Sequence, residues 1–149
     1  MAATASSTSR PCGTSERRKM EAALLAKLLG NPALAALVNE ISWVERGNDD
    51  LPVITLTLID RGREYHLTGH DGLDASWVQA DVWAGSVLTA FEIARAFTSA
   101  IEPQEDIDGW RIGPCFLEIE HNMPPEDLDG GGKVHRVMME WRVFNAQLS

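Results

Sequence analysis

The stretch SWVQADVWAG (76–85) places an aspartate between two tryptophans that are six residues apart. Successive side chains of a β-strand point to opposite faces, so a strand here carries Trp77, Gln79, Asp81 and Trp83 on one face. A carboxyl group among apolar rings is a common arrangement for a general acid. Three interpretations follow: a catalytic acid in an aromatic cleft, a platform for a flat ligand, or a sheet face that packs against another subunit.

The sequence around Asp81 gives little support to catalysis. No second carboxylate, base or nucleophile is tied to Asp81 by its spacing, and a catalytic site needs groups with mutually placed roles. The chain has no GxSxG, P-loop, GxGxxG or HExxH motif, and its DGGGK run (129–133) lies in an acidic segment rather than between a strand and a helix. We therefore predict no enzymatic activity, no catalytic residue and no bound cofactor.

The four histidines form two pairs that could bind a metal. His66 and His70 have HxxxH spacing with Asp71 adjacent, but this spacing brings two rings together on a helix, whereas here it spans a strand end and a glycine turn. His121 and His135 flank an acidic segment and could meet across a hairpin, as a pair without further ligands. We predict surface histidines and no metal site.

Length and composition indicate one compact domain. The chain has 149 residues, 44% of them hydrophobic, which is enough for a sizeable core. It contains no run of eighteen apolar residues and no apolar signal core near the N-terminus, so we expect synthesis in the cytoplasm and no membrane partner. Cys12 lies in a polar tail and Cys115 in an apolar strand, without CxxC spacing, and we expect both to be free thiols.

Charge is distributed unevenly along the chain. Residues 1–19 hold four basic residues and one acidic residue, a balance of +3, which leaves 9 basic and 21 acidic residues, a balance of −12, in the rest. Proteins that bind DNA tightly use Lys and Arg to replace its counterions, so the negative charge of residues 20–149 argues against DNA binding. It is compatible with DNA that passes nearby.

The helices are predicted from capping residues and apolar spacing. SERRKMEAALLAKLLG begins with Ser15 as N-cap and ends at Gly30, and a short second helix follows in which Pro32 takes the first helical position. A third helix begins after Ser86 and ends before Pro103. Its apolar stripe predicts that it covers one face of a sheet.

The strands are predicted from β-branched residues and alternation. EISWVE (40–45), LPVITLTLID (51–60) and SWVQADVW (76–83) are strands, with a tight hairpin around Arg61 and Gly62. WRIGPCFLEIEH (110–121) and VHRVMMEWRVF (134–144) form a long C-terminal hairpin joined by a long acidic Pro/Gly loop. On the first of these two strands, one side carries Cys115, Leu117 and Ile119.

The predicted fold class is α+β: a mostly antiparallel sheet with a long C-terminal hairpin, packed against an N-terminal helix pair and one central helix. Residues 1–15 are predicted to be a flexible polar arm, and residues 16–149 to be a single domain. On the last strand, four residues alternate with core positions and face outward: Arg136, Met138, Glu140 and Arg142.

Three segments in this order carry a family resemblance: MEAALLAKLLGNPALAALV (20–38), DGLDASWVQADVWAG (71–85) and SVLTAFEIARAFTSAI (86–101). From about residue 20 to residue 144 the chain resembles the tail completion family of tailed bacteriophages and gene transfer agents. The resemblance implies a small α+β subunit of a homo-oligomeric ring, a hexamer in well-studied relatives, that caps the tail tube and joins it to the head. It implies no catalytic motif.

The resemblance favours the third interpretation of the tryptophan strand. As a ring subunit, the chain would bury Trp77 and Trp83 against its neighbour, while Gln79 and Asp81 would fix the register of the joint by hydrogen bonds to backbone N–H groups or to an arginine such as Arg136 or Arg142. The remaining outward residues of the last strand, Met138 and Glu140, would belong to the same interface. The alternative is that the tryptophans lie under the chain's own helix.

A tail role also implies partners and a location. The expected partners are further copies of the chain, the tail tube protein and a head-side connector or stopper protein, in the tail or neck of a virion assembled in the host cytoplasm. Double-stranded DNA would pass without specific binding, and the acids Glu126, Asp127 and Asp129 of the predicted loop are candidates to line the channel. Two other roles are considered: another neck ring, connector or stopper, and a small-molecule-binding domain that uses the Trp77, Asp81 and Trp83 face.

Overall fold

The computed structural model describes residues 19–44, 50–67, 69–128 and 130–148. The predicted arm, residues 1–15, lies outside the described residues, as do the predicted helix cap Ser15 and the loop acid Asp129. The division into an arm and a domain from residue 16 onward therefore stays a prediction.

The described residues form three helices, α1 (Met20–Leu29), α2 (Pro32–Ala35) and α3 (Val87–Ile101). Gly30 ends α1, and the side chain of Asn31 caps α2 by accepting a hydrogen bond from the backbone N–H of Leu34 at 3.0 Å. Ser86 caps α3, because its Oγ accepts the backbone N–H of Thr89 at 3.2 Å. None of these helices has the length and apolar character needed to cross a membrane.

Seven strands form one sheet, which confirms the predicted α+β class with a dominant antiparallel sheet. They are β1 (Glu40–Trp43), β2 (Val53–Asp60), β3 (Arg63–His66), β4 (Gly69–Ala84), β5 (Glu105–Ile107), β6 (Trp110–Asp127) and β7 (Lys133–Gln147). Their order is β1-β2-β4-β7-β6-β5, with β3 paired to the first part of β4. The β1–β2 pair is parallel and the others are antiparallel.

The helices pack on one face of the sheet, which we call the core face. The rings of Phe97 in α3 and Trp141 in β7 have centroids 6.0 Å apart, tilted by 53°. The central strands contribute fully buried apolar side chains to this face: Val78, Ala80, Val82, Val137, Met139, Trp141 and Val143. We call the opposite side the outer face, and no helix of the described residues covers it.

The predicted hairpin around Arg61 and Gly62 is wrong. β3 pairs with β4 rather than with β2, so the chain runs on from β2 to β3 along one edge of β4 and reverses only afterwards. Gly62 has φ +69°, and a Cβ atom there would lie 1.8 Å from the carbonyl oxygen of Ala75. The glycine therefore lets the segment between β2 and β3 pass close to the backbone of β4. A glycine in a turn-like sequence is compatible both with such a close approach and with a chain reversal, so the sequence alone does not decide between them.

The connection of the C-terminal hairpin is shorter than predicted. Residues 122–127, which we assigned to a long loop, continue β6, and residues 128–132 join it to β7. The register shifts between Met123 and Glu126, where Pro124 and Pro125 lie. Prolines lack an N–H group and are tolerated at bulges and edges of a sheet. Glu126 is thus a strand residue near the tip of the hairpin.

A second irregularity corrects the predicted faces of β6. Cys115 is buried and pairs with Val143, on the core face, as predicted. The register then shifts between Leu117 and Ile119, so that Ile119 pairs with Glu140 and belongs to the outer face. A bulge adds one residue to one strand and reverses the alternation after it, and an apolar pattern alone does not reveal it.

A buried lysine fastens α1 to the end of α3. Lys27 is only 3% exposed, and its Nζ donates hydrogen bonds to the carbonyl oxygens of Ile101, at 2.6 Å, and of Pro103. These carbonyls lie at and beyond the last turn of α3, where the helix has unpaired acceptors and the negative end of its dipole. Burial lowers the pKa of Lys27, and burial raises the pKa of the nearby thiol of Cys115 to about 11.

The raised pKa of Cys115 predicts a loss of stability in alkali. Between the ordinary pKa of 9.0 and about 11, the unfolded thiol has lost its proton while the folded thiol keeps it, so the free energy of unfolding falls as the pH rises. Two pKa units correspond to roughly 3 kcal/mol. Urea unfolding of the wild type and of Cys115→Ala, followed between about pH 8 and pH 11, should show a smaller alkaline loss in the variant.

The lowered pKa of Lys27 acts in the opposite direction, because the unfolded ammonium holds its proton up to a higher pH than the folded one. Cys115→Ala also removes the thiolate that raises the pKa of Lys27, so the pKa of Lys27 falls further in the variant, which likewise makes the alkaline loss of stability smaller there. Equal alkaline slopes in the two proteins would contradict the prediction.

Candidate functional site

The pairing of β4 with β7 brings two predicted rows of residues together on the outer face. Trp77 lies opposite Arg142, and Trp83 lies opposite Arg136. We call the combined surface the outer-face patch; it consists of Trp77, Gln79, Asp81, Trp83, Arg136, Met138, Glu140 and Arg142. The three residues of β4 that lie under α3 are instead Val78, Ala80 and Val82, which are fully buried. The alternative that the tryptophans lie under the chain's own helix is therefore wrong.

Each tryptophan of the outer-face patch carries an arginine above its ring. The Cζ of Arg142 is 4.7 Å from the ring centroid of Trp77, and the Cζ of Arg136 is 5.0 Å from that of Trp83. Such cation–π contacts contribute about 0.5 to 2 kcal/mol each, depending on their exposure to water. Trp83 is also fixed through its Nε1, which donates to Thr55 Oγ1 at 3.1 Å. The rings are thus held in defined positions within the subunit.

Asp81 is buried at the centre of the patch and bonded on both oxygens. Its side chain is 6% exposed, its Oδ1 lies 2.8 Å from Arg136 Nε, and its Oδ2 accepts a hydrogen bond from Gln79 Nε2 at 2.9 Å. Arg136 is one of the partners that the sequence suggested, but the bond lies within one chain. A carboxylate occupied in this way is a structural anion rather than an exposed general acid.

Arg142 differs from Arg136 in its polar contacts. Its Nε is buried without a hydrogen-bond partner among the described residues, whereas Arg136 has the carboxylate of Asp81. Buried N–H groups are usually bonded, so an unpaired one marks a position where a further acceptor would be favourable. Arg142 is therefore held in the patch by its contact with the ring of Trp77 and not by an ion pair.

An apolar area that the sequence did not predict adjoins the patch. The rings of Phe116 in β6 and Phe144 in β7 are in edge contact, with centroids 5.9 Å apart at 87°. Together with Leu73 they line a depression of about 440 Å³. Leu73 is 46% exposed and Phe116 49%. The alternation of Phe116 with buried Cys115 was the available signal, because it places Phe116 on the outer face.

The histidines do not form a metal site in the part of the chain that is described. Within it, no group of three or more His, Cys, Asp or Glu residues could hold a metal ion. His121 pairs with Met138 on the outer face, whereas His135 pairs with Ala84 and lies on the other side of the sheet. For His66 and His70 only the backbone is described.

The predicted acid Asp127 lies near the hairpin tip and forms an ion pair with Lys133 at 2.7 Å.

The sequence and the fold are similar to those of known proteins. Residues 22–144 match the family described as tail completion protein gp17. Among solved structures, a chain of the "Virion of native gene transfer agent (GTA) particle" has the same fold, with a TM-score of 0.57 and 16% sequence identity, over 85% of this chain and 94% of that chain. A second solved chain has a TM-score of 0.50 and 11% identity, over 89% of this chain and 96% of that one. No curated protein matches the sequence.

The two arginines of the patch allow a matched comparison of stability. Arg136→Met leaves the buried carboxylate of Asp81 with Gln79 alone, and we expect it to lower the free energy of unfolding by about 2 to 3 kcal/mol. Arg142→Met removes a ring contact without freeing a carboxylate, and we expect a loss of about 1 kcal/mol or less. Urea unfolding of both variants near pH 7 measures the difference, and equal losses would contradict this account of the patch.

Proposed function

We propose that the chain is the subunit of a homo-oligomeric ring in the tail of a bacteriophage or of a gene transfer agent. It belongs to the family of tail completion protein gp17, and it is therefore a structural protein of such a tail. In this role it is a tail terminator: the ring caps the tail tube, stops its growth and presents a docking surface to the head-side connector. The role is structural and needs no catalysis or cofactor.

The outer face is the observation that carries the proposal. It is a sheet face with two tryptophans at its centre and an aromatic depression beside them, and no helix of the described residues covers it. Interface cores are rich in tryptophan and arginine, with few unpaired charges. Since Asp81 and Arg136 already neutralise each other, a neighbour can pack over this pair without burying an isolated charge, whereas the Nε of Arg142 has no such partner among the described residues. We therefore assign the outer-face patch to contacts between subunits.

The placement in a particle is supported by the solved chain from a gene transfer agent virion, which shares the fold along nearly its whole length. From the resemblance to the family, we further propose that the ring is a hexamer in the neck or tail of a virion, assembled in the host cytoplasm. Its partners are the tail tube protein on one side and a connector or stopper protein on the other. Another neck ring, connector or stopper, is the alternative within the same class of proteins.

The charge of the chain fits a channel that DNA crosses without being held. The formal net charge is −9, and the tip of the β6–β7 hairpin carries exposed Glu126 and Asp127. A duplex carries one negative charge per roughly 1.7 Å, so an acidic lining does not bind it by counterion release. In the proposed ring this tip, with the neighbouring Asp129, projects toward the channel, and the ring is a passive conduit.

Assembly should depend on the outer face. We expect Arg142→Glu to weaken self-association, because it reverses a charge in the patch, and loss of one side of an interfacial charge pair costs about 2 to 5 kcal/mol. Native mass spectrometry over a dilution series measures the assembly, and thermal melting reports folding. Arg95→Glu, an exposed position on α3, is the matched control and should assemble normally. Unchanged assembly and melting of Arg142→Glu would place the patch in solvent, and a strict monomer would contradict the ring.

The wild-type ring should show no appreciable affinity for double-stranded DNA at physiological salt. Reversal of the tip acids, Glu126→Lys with Asp127→Lys and Asp129→Lys, should create binding that weakens as salt is raised. The matched control reverses three exposed acids elsewhere, Glu64, Glu92 and Glu102. Binding by this control as strong as by the tip variant would show that charge matters and position does not. Tight, salt-sensitive binding by the wild type, measured by fluorescence anisotropy, would contradict the passive conduit.

A further inference from the structure

One long side of β6 has no partner strand within the described residues. β7 pairs with one side of β6 along most of its length, but β5 pairs with the other side only at Trp110–Ile112. On the open stretch, three apolar side chains are 37% to 49% exposed: Phe116, Leu117 and Ile119. An open edge of this length with apolar side chains is a template on which another strand can pair. The pairing length is limited, because Pro124 and Pro125 offer no N–H group.

At the opposite edge of the sheet, beside β1, a depression could accept an apolar side chain of a second copy. β1 is the terminal strand there, and beyond its last residue α1 and β2 leave a mainly apolar depression of about 630 Å³. Its apolar walls include Leu25 of α1, Trp43 of β1 and Leu58 of β2. Leu25, Trp43 and Leu58 are partly buried side chains packed against the core, so the depression opens on the core-face side of the sheet.

The register across the sheet puts these two surfaces at matching heights. The row that contains Trp43 runs through Leu56, Ala80 and Met139 to Glu120. A parallel row links Leu58 with Val78, Trp141 and Leu117, all on the core face. β1 is parallel to β2, and three antiparallel pairings separate β2 from β6, so β6 runs antiparallel to β1. When a second copy is placed with its β1 beside β6 of the first copy, the two strands are therefore antiparallel and their rows are aligned without a shift along the strands.

We propose that residues 120–123 of the open edge of β6 pair antiparallel with β1 of a second copy, and that Leu117, which lies beyond the end of this pairing, enters the second copy's depression between Leu25, Trp43 and Leu58. This inference rests on the proposed ring and specifies how neighbouring subunits join. A contact between two different edges is head-to-tail, and such a contact forms a ring when the rotation between neighbours closes. The joint lies at the sheet edges and the core-face side, in addition to the contacts between subunits that are assigned to the outer-face patch.

Charge favours this pairing over the pairing of two β6 edges. The open stretch of β6 carries four acids, Glu118, Glu120, Glu126 and Asp127. Self-pairing of antiparallel β6 strands would bring these like charges against one another, which is destabilising. β1 carries one acid, Glu40, at the height of Met123, and presents Trp43 at the height of Glu120. The head-to-tail arrangement therefore keeps the acids of β6 away from the acid of β1.

The test is a disulfide between chains. Ser42 of β1 and His121 of β6 lie at the same height on the outer face, so Ser42→Cys with His121→Cys should form an intermolecular disulfide on mild oxidation. The background is Cys12→Ser, and Cys115 is retained because it is 3% exposed. The matched control is Ser42→Cys with Phe116→Cys, which is on the same strand and the same face as His121 but four rows away along the sheet. We expect at least a tenfold higher yield of linked chains from the first pair.

A second variant tests whether Leu117 enters the depression of a second copy. We expect Leu117→Asp to weaken self-association at least tenfold while the subunit stays folded, as its melting curve reports, because the 37% of the side chain that is exposed in the subunit is buried in the joint. Leu88→Asp, at a position on α3 that is 75% exposed, is the control and should assemble as the wild type does.

The outcomes separate the joint from the ring. Linked chains and weakened assembly of Leu117→Asp support the joint. An oligomer that gives no linked chains and tolerates Leu117→Asp overturns the joint and leaves the ring in place. A strict monomer for the wild type, measured by native mass spectrometry, overturns the ring and the joint together.

Discussion

The structure depends on one constraint: all its described helices pack on the same face of the sheet. A seven-stranded sheet has two faces, and burial of apolar side chains against α1 and α3 completes only one of them. The hydrogen bonds from Lys27 to the carbonyl groups that follow α3 hold the two helices together on that side. The opposite face, with the outer-face patch, is therefore left to interact with solvent or with another chain, and its chemistry is the best guide to what the protein does.

The sequence predicted those parts of the fold that follow from local pattern. Alternation in β4 and β7 placed Trp77 and Arg142 on the same outward side, because the period of a strand is two wherever no bulge intervenes. Pro32 and Ser86 located two helix starts, since a proline at the first helical position and a side-chain acceptor at the N-cap are local requirements whatever the tertiary structure. The resemblance to the tail completion family, confirmed over residues 22–144, rested on the same segments.

The features that the sequence did not predict are set by contacts between distant segments. The sequence suggested Arg136 as a partner of Asp81 across a subunit joint, whereas the bond lies within one chain and joins residues 55 positions apart; the bond of Lys27 to Ile101 joins residues 74 apart. The bulge before Ile119 and the passage of Gly62 beside another strand arise from the register of neighbouring strands. Each of these local sequences is compatible with a regular strand or a simple turn, and only the pairing across the sheet decides between them.

In the proposed ring, two opposing demands act on the outer-face patch. Before assembly, Trp77 and Trp83 must not drive random association, and a guanidinium above each ring gives the exposed aromatic surface a charged cover. After assembly, charges in the interface must not be left isolated, and the ion pair of Arg136 with Asp81 meets this need within one chain. An entirely apolar face would fail the first demand, and a face with unpaired charges would fail the second. Arg136, stacked on Trp83 and bonded to Asp81, satisfies both within one chain, whereas Arg142, stacked on Trp77, satisfies only the first.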